Sequence, residues 1–182
     1  MPQEKKDGIL PVERYNMELT QKVTNTENFT YQEFINSNIA DNYNISNLPP
    51  ETDADLIWSN IEHLTQNVLQ PIRDEFGKIR ILSGYRSPKL NTKINGSLNS
   101  HHLFGRAADI EPIDKSVKLF DILKFIHNEL IYTELIAEYF PNGWIHVALR
   151  KYYAPTKVIK LKDKRINYKK VDLDYIAKRY SI

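Results

Sequence analysis

The sequence predicts an α+β fold, a small antiparallel sheet with helices packed against it. Two observations carry the prediction. Before residue 77 a long stripe of apolar residues recurs at helical spacing. After it come short β-type runs bounded by turn signals and interrupted by one further helical stripe.

Taken in order, residues 1–27 are polar and weakly patterned, and read as an arm that is disordered or held by a partner. Thr30 and Glu33 form a capping box ahead of Phe34 and Ile35, which predicts a short helix over 30–37. Pro49 and Pro50 enforce a loop. Thr52 or Asp53 then caps a long helix with Leu56, Ile57, Ile61, Leu64, Val68, Leu69, Ile72 and Phe76 on one stripe; Pro71 should kink it and Gly77 stop it. Residues 79–82 read as a strand ending in Ser83-Gly84, Asn95-Gly96 as a turn, and 106–110 as a second strand. Residues 115–130 carry the stripe of a packed helix. Residues 134–138 and 144–149 are strands joined by a hairpin connection. Residues 158–162 offer a further strand, and 172–180 a terminal helix.

The 182 residues suffice for one domain with its own core, and there is no cysteine. Disulfide scaffolds, thiol nucleophiles, iron–sulfur clusters and zinc fingers are thereby excluded, while a metal held by His, Asp or Glu is not. No apolar run approaches a membrane span, and the first residues lack the apolar stretch of a secretory signal. The net charge of +2 conceals an asymmetry. Residues 1–149 hold 14 basic and 20 acidic residues, a net of −6, whereas residues 150–182 hold 11 and 3, a net of +8. The plain reading of that tail is a solvated, lysine-rich surface.

Of five histidines, His63 and His127 fall within helical patterns and read as surface or boundary positions. His101 and His102 stand in a loop directly before the strand that carries Asp109, and His146 lies inside the strand after Trp144. Two strands of one sheet can bring two imidazoles and a carboxylate together. That set with an open fourth position is a catalytic zinc site.

The segments Ser83-Gly84-Tyr85-Arg86-Ser87-Pro88, Asn95-Gly96-Ser97, Ser100 through Asp109 and Gly143-Trp144-Ile145-His146-Val147 resemble the zinc D-alanyl-D-alanine carboxypeptidase family. That family comprises peptidoglycan metallopeptidases that share the hedgehog-type zinc fold, and the likeness is greatest to short phage-type members. The pattern Ser-x-His-x-x-Gly-x-Ala-x-Asp from Ser100 to Asp109 is its most specific part. The resemblance divides the chain into an arm (1–28), a zinc peptidase domain (29–149) and a basic C-terminal extension (150–182). It implies zinc held by His102, Asp109 and His146, with His101 as a neighbour. It also implies that Arg86 stabilises the developing oxyanion, and that Ser100, Tyr85 and Trp144 contact substrate. Many family members carry a glutamate general base three residues before the last histidine, where this chain has Gly143. Glu138, eight residues before His146 on the preceding strand, is the replacement candidate; Glu134 shares its strand parity, and the plain reading of both is solvent-facing acids of an alternating strand.

The implied activity is zinc-dependent cleavage of peptidoglycan stem peptides, at D-Ala–D-Ala or at L-Ala–D-Glu, by a phage lysis or virion-associated wall hydrolase. It would sit in the host cytoplasm until lysis or travel on the virion. The alternative is a virion structural or wall-binding protein that keeps the fold with weak or no activity. Virion proteins or an anionic wall polymer are the partners considered for the basic tail. Its Tyr152, Tyr153, Tyr168, Tyr175 and Tyr180 would also suit nucleic acid, which ranks below them.

Overall fold

The computed structural model describes residues 19–156 and 158–182. Six strands form one sheet: β1 (Ile79–Ser83), β2 (Ala107–Pro112), β3 (Glu134–Glu138), β4 (Trp144–Ala148), β5 (Ile159–Lys162) and β6 (Lys169–Val171). Their spatial order is β1-β2-β4-β3-β5-β6. The expected hairpin is β3–β4, and every pairing is antiparallel except β3 with β5, which run parallel. The sheet is therefore mixed. β4 returns the chain to the end of the sheet where β3 begins, so β5 can start there and run parallel to β3 on its other side.

One face of the sheet is core. Ala108, Ile110, Leu135, Ala137, Ile145, Val147, Ile159 and Leu161 are buried, each at the alternate position along its strand. Against them lie α3 (Ala54–Leu64), a π-helical turn (Thr65–Leu69), α4 (Gln70–Phe76) and α6 (Leu119–Glu129). Ile57, Ile61, Leu64, Val68, Leu69 and Ile72 are buried as the stripe requires, whereas Leu56 is exposed. The kink expected at Pro71 takes a definite form. Proline offers no N–H, and the hydrogen-bond ladder slips one residue just before it, so that the Gln70 N–H reaches the carbonyl of Thr65. Gly77, at φ +76°, ends the helix with its N–H on the carbonyl of Arg73.

Several boundaries differ from the pattern-based reading. The capping box of Thr30 yields only α1 (Tyr31–Ile35), because Ser37 caps a separate helix, α2 (Asn38–Asn42). Ser87 and Pro88 start another unanticipated helix, α5 (Pro88–Lys93). The helix expected from residue 115 begins at Leu119, because the Asp114 side chain accepts the Ser116 N–H at 2.8 Å and holds a turn there. Of the N-terminal arm, residues 1–18 lie outside the described residues. Of residues 19–28, Leu19, Val23 and Thr26 are buried, and Arg73 stacks 3.8 Å over the ring of the next residue, Phe29. The basic extension continues the sheet, and α7 (Leu173–Tyr180), capped by Asp172, buries Ile176 in the same core. No helix among the described residues is long and apolar enough to cross a membrane.

Candidate metal centre

The sheet's other face carries the chemistry. Directly opposed residues share a face in a β-ladder. The register opposes Asp109 to both His146 and Ser83, His146 to Ile136, and Glu138 to Trp144. His102 arrives from outside the sheet, on a short 3-10 turn (His101–Phe104) capped by Ser100 and closed by Gly105 at φ +65°. A side chain at Gly105 would meet the Ile57 carbonyl at 2.8 Å, so only glycine lets the turn seat against α3.

Three donor atoms converge. Asp109 Oδ1 lies 2.8 Å from His146 Nδ1 and 3.3 Å from His102 Nε2, and the two ring nitrogens are 3.2 Å apart. His102, Asp109 and His146 each offer one ligand atom within 4.8 Å of the others, and this cluster can hold a metal ion. The second nitrogen of His102 lies 2.6 Å from the Gly84 carbonyl. A carbonyl can only accept, so the proton is there and Nε2 keeps its lone pair for a metal. Two imidazoles and a carboxylate are a donor set that suits zinc, with room for a fourth ligand. The residues fit the ion.

Electrostatics agree. Burial would raise the Asp109 carboxyl, but the two imidazoles overcome it and hold the group well below the usual carboxylate range. Burial pushes His102 down despite Asp109. At His146 burial is outweighed by Asp109 and Glu134, which lift it to about 9. A metal that takes Nδ1 must displace a proton from this ring. His101 is pushed down to about 4, chiefly by burial, and stays out of the cluster; its Nε2 is 3.9 Å from Glu134 Oε2.

A cleft of about 470 Å³ opens over the three residues. Of the side chains expected there, Arg86, Ser100, Trp144 and Glu138 line it. The Arg86 main chain donates to the His102 carbonyl at 3.1 Å, and its guanidinium reaches Ser100 Oγ at 3.4 Å. Its Nε is buried and has no hydrogen-bond partner among the described residues. Burial pushes the guanidinium down, while Asp109 and Glu138 pull it back. Trp144 packs on Tyr139 with ring centroids 5.2 Å apart. Glu138 is 6% exposed, and Lys162 Nζ sits 3.0 Å from its carboxylate.

Tyr85 is 2% exposed and belongs to the core; it is not among the residues lining this cleft, but it lines an adjoining pocket that shares Arg86, Asp109, Trp144 and Lys162 with it. Counting by alternation from Ser83 would put it on the site face, but β1 ends at Ser83. Gly84 lets the backbone approach Phe34, where the Tyr85 N–H bonds the carbonyl at 2.7 Å. The ring turns inward as a result.

Gly143 is explained by the same kind of close approach. A Cβ there would overlap the carbonyl oxygen of Glu138, so the turn of the β3–β4 hairpin admits no glutamate at this position. The carboxylate that the cleft does contain comes from Glu138, directly opposite Trp144.

Sequence reasoning missed three contributors. Lys160, Lys162 and Tyr168, all from the basic extension, also line the cleft. The alternation of Ile159 and Leu161 with Lys160 and Lys162 was the available signal, because it assigns the lysines to the face opposite the core. A family model described as Peptidase M15 matches residues 27–148. No curated protein matches the chain.

Proposed function

The chain belongs to the Peptidase M15 family, a metallopeptidase family, and on that premise we propose that it is a zinc-dependent hydrolase of peptidoglycan stem peptides. The single observation that carries the reading is the convergence of His102, Asp109 and His146 in an open cleft beside Glu138 and Arg86. The scissile bond on this reading is D-Ala–D-Ala at a stem-peptide terminus or the internal L-Ala–D-Glu bond. The setting is a bacterial wall reached through phage lysis or from a virion. The exposed Lys164, Arg165, Lys169 and Lys170 of the extension would meet virion proteins or an anionic wall polymer.

Zinc held by His102, Asp109 and His146 would supply Lewis-acid polarisation of the peptide carbonyl and activation of water at neutral pH. Glu138 accepts the proton of the attacking water on a carboxylate oxygen and returns it to the leaving amine. Its burial would be costly for an isolated charge, and the Lys162 ammonium offsets that cost. The guanidinium of Arg86 hydrogen-bonds the carbonyl oxygen as negative charge develops there. That contact gains strength in the transition state and so accelerates the chemical step. Ser100 and Trp144 bound the substrate's path.

The test is incubation of the purified chain with synthetic stem peptides and soluble muropeptides, read by mass spectrometry. Cleavage is expected, lost on chelation and restored by zinc. A zinc-loaded protein that leaves every stem peptide intact overturns the reading. Arg86→Ala is expected to lower kcat by about 100- to 1,000-fold with metal content unchanged. A loss confined to KM would reassign Arg86 to ground-state binding.

A further inference from the structure

We infer that Glu134, braced by Lys160, is a positioning residue that orients His146 toward the metal, so that β5 is a working part of the metal centre. The inference rests on the metal site of the proposed peptidase but not on its substrate.

His146 presents Nδ1 to Asp109 and His102, which leaves Nε2 pointing away from the cluster and buried. The acid within reach of that nitrogen is Glu134, whose Oε2 lies 3.3 Å away in an ion-pair contact off the line of a hydrogen bond. The same oxygen is 3.9 Å from His101 Nε2, and the other oxygen, Oε1, takes the ammonium of Lys160 at 2.6 Å. Glu134 is thus held from three sides. Its place is set by sheet register. It lies opposite Ala148, whose methyl leaves the space beside His146 open, while Lys160 lies opposite Ile136 on the parallel strand and reaches two residues back along β3.

The chemistry of this chain of contacts is directional. A carboxylate beside one ring nitrogen fixes the proton there, locks the ring's orientation and makes the other nitrogen a stronger donor to a metal. A partly buried carboxylate would otherwise be costly or free to swing toward the ion itself, and the lysine prevents both. With its two oxygens occupied in this way, Glu134 is not the proton acceptor of the reaction, and that role stays with Glu138. Lys160 lies beyond residue 148, where the family match ends. The brace thus joins an acid of the family-matched region to a lysine outside it.

The experiment measures zinc affinity of the full chain by competition with a chromogenic chelator. It also records the visible absorption of the cobalt(II)-loaded protein, which reports ligand geometry independently of activity. Glu134→Ala is expected to weaken zinc binding by about 10- to 100-fold and to shift the cobalt bands. Lys160→Ala should weaken it in the same direction by less, and Lys160→Arg should restore it, because a cation at that place is what matters. Circular dichroism reports folding; if Glu134→Ala does not fold, the Lys160 pair decides. Zinc affinity within twofold of the native protein and unaltered cobalt bands in the folded variants overturn the inference, as does a native chain that binds no zinc. Tight zinc binding with these effects but no cleavage of any stem peptide leaves it standing and removes only the proposed substrate.

Discussion

Asp109→Asn is expected to leave the purified protein with substoichiometric zinc and to reduce peptide cleavage by at least about 1,000-fold. Asp109 is the one anion of the three-residue cluster, and its Oδ1 is the atom nearest both imidazoles, at 2.8 and 3.3 Å. The amide keeps the shape of the side chain but loses the charge that compensates a divalent ion in a buried place. Loss of an outer partner of a metal ligand already costs about 10- to 100-fold in affinity, so loss of the ligand itself exceeds that. Without the ion the carbonyl loses several kcal/mol of charge stabilisation, and each 1.36 kcal/mol is tenfold in rate. Metal content by atomic emission and cleavage by mass spectrometry are the two readouts. Asp121→Asn, on the exposed first turn of α6, is the matched control. Full zinc occupancy and retained turnover in Asp109→Asn would show that the ligand set lies elsewhere.

How much of this was legible beforehand follows from which interactions are local. The spacing from Ser100 to Asp109 specifies a cap, a turn, a left-handed glycine and a strand entry, all short-range features, so it locates His102 and Asp109 relative to one another. The parity of β3 and β4 is local too, and puts Glu134, Glu138, Trp144 and His146 on one face once the hairpin is recognised. The short helices α2 and α5 had visible signals in Ser37 and in Ser87-Pro88, but each is a single turn or so and carries no apolar stripe to flag it.

The partner of a strand is a different matter. Residues 158–162 read as a strand from their alternation, yet nothing local states that β5 lies parallel to β3. That choice is made by burying Ile159 and Leu161 beside Leu135 and Ala137. Only with the pairing known do Lys160 and Lys162 fall next to Glu134 and Glu138. Part of the basic tail's charge excess is therefore spent inside the cleft, on acids of the family-matched body. Tyr85, expected to contact substrate from the resemblance alone, is buried in the core, and its N–H is held by the Phe34 carbonyl, a tertiary contact that no local pattern announces.

Glu138→Gln carries the second large effect: kcat is expected to fall by about 100- to 10,000-fold, the usual contribution of a positioned general base, with zinc content unchanged. The substitution conserves volume and one acceptor oxygen while removing the capacity to take up a proton. Two observations make Glu138 the group to test. It is a buried acid lining the cleft, and Gly143 has no room for a carboxylate because a Cβ there would overlap the Glu138 carbonyl. The Lys162 ammonium, 3.0 Å away, loses its counter-charge in the variant, so thermal melting must accompany the kinetics. A small drop in melting temperature with intact metal and collapsed kcat assigns the effect to chemistry. Lys162→Met separates the two residues further: it removes the counter-ion but leaves the carboxylate, and should cost less turnover than Glu138→Gln. Near-native turnover in Glu138→Gln removes Glu138 from the role. Glu134, the other acid of β3 lining the cleft, would not inherit it by default, because its oxygens are already engaged by Lys160 and the His146 ring. The attacking water would then have to lose its proton without a carboxylate base from β3, at a rate that the same measurement reports.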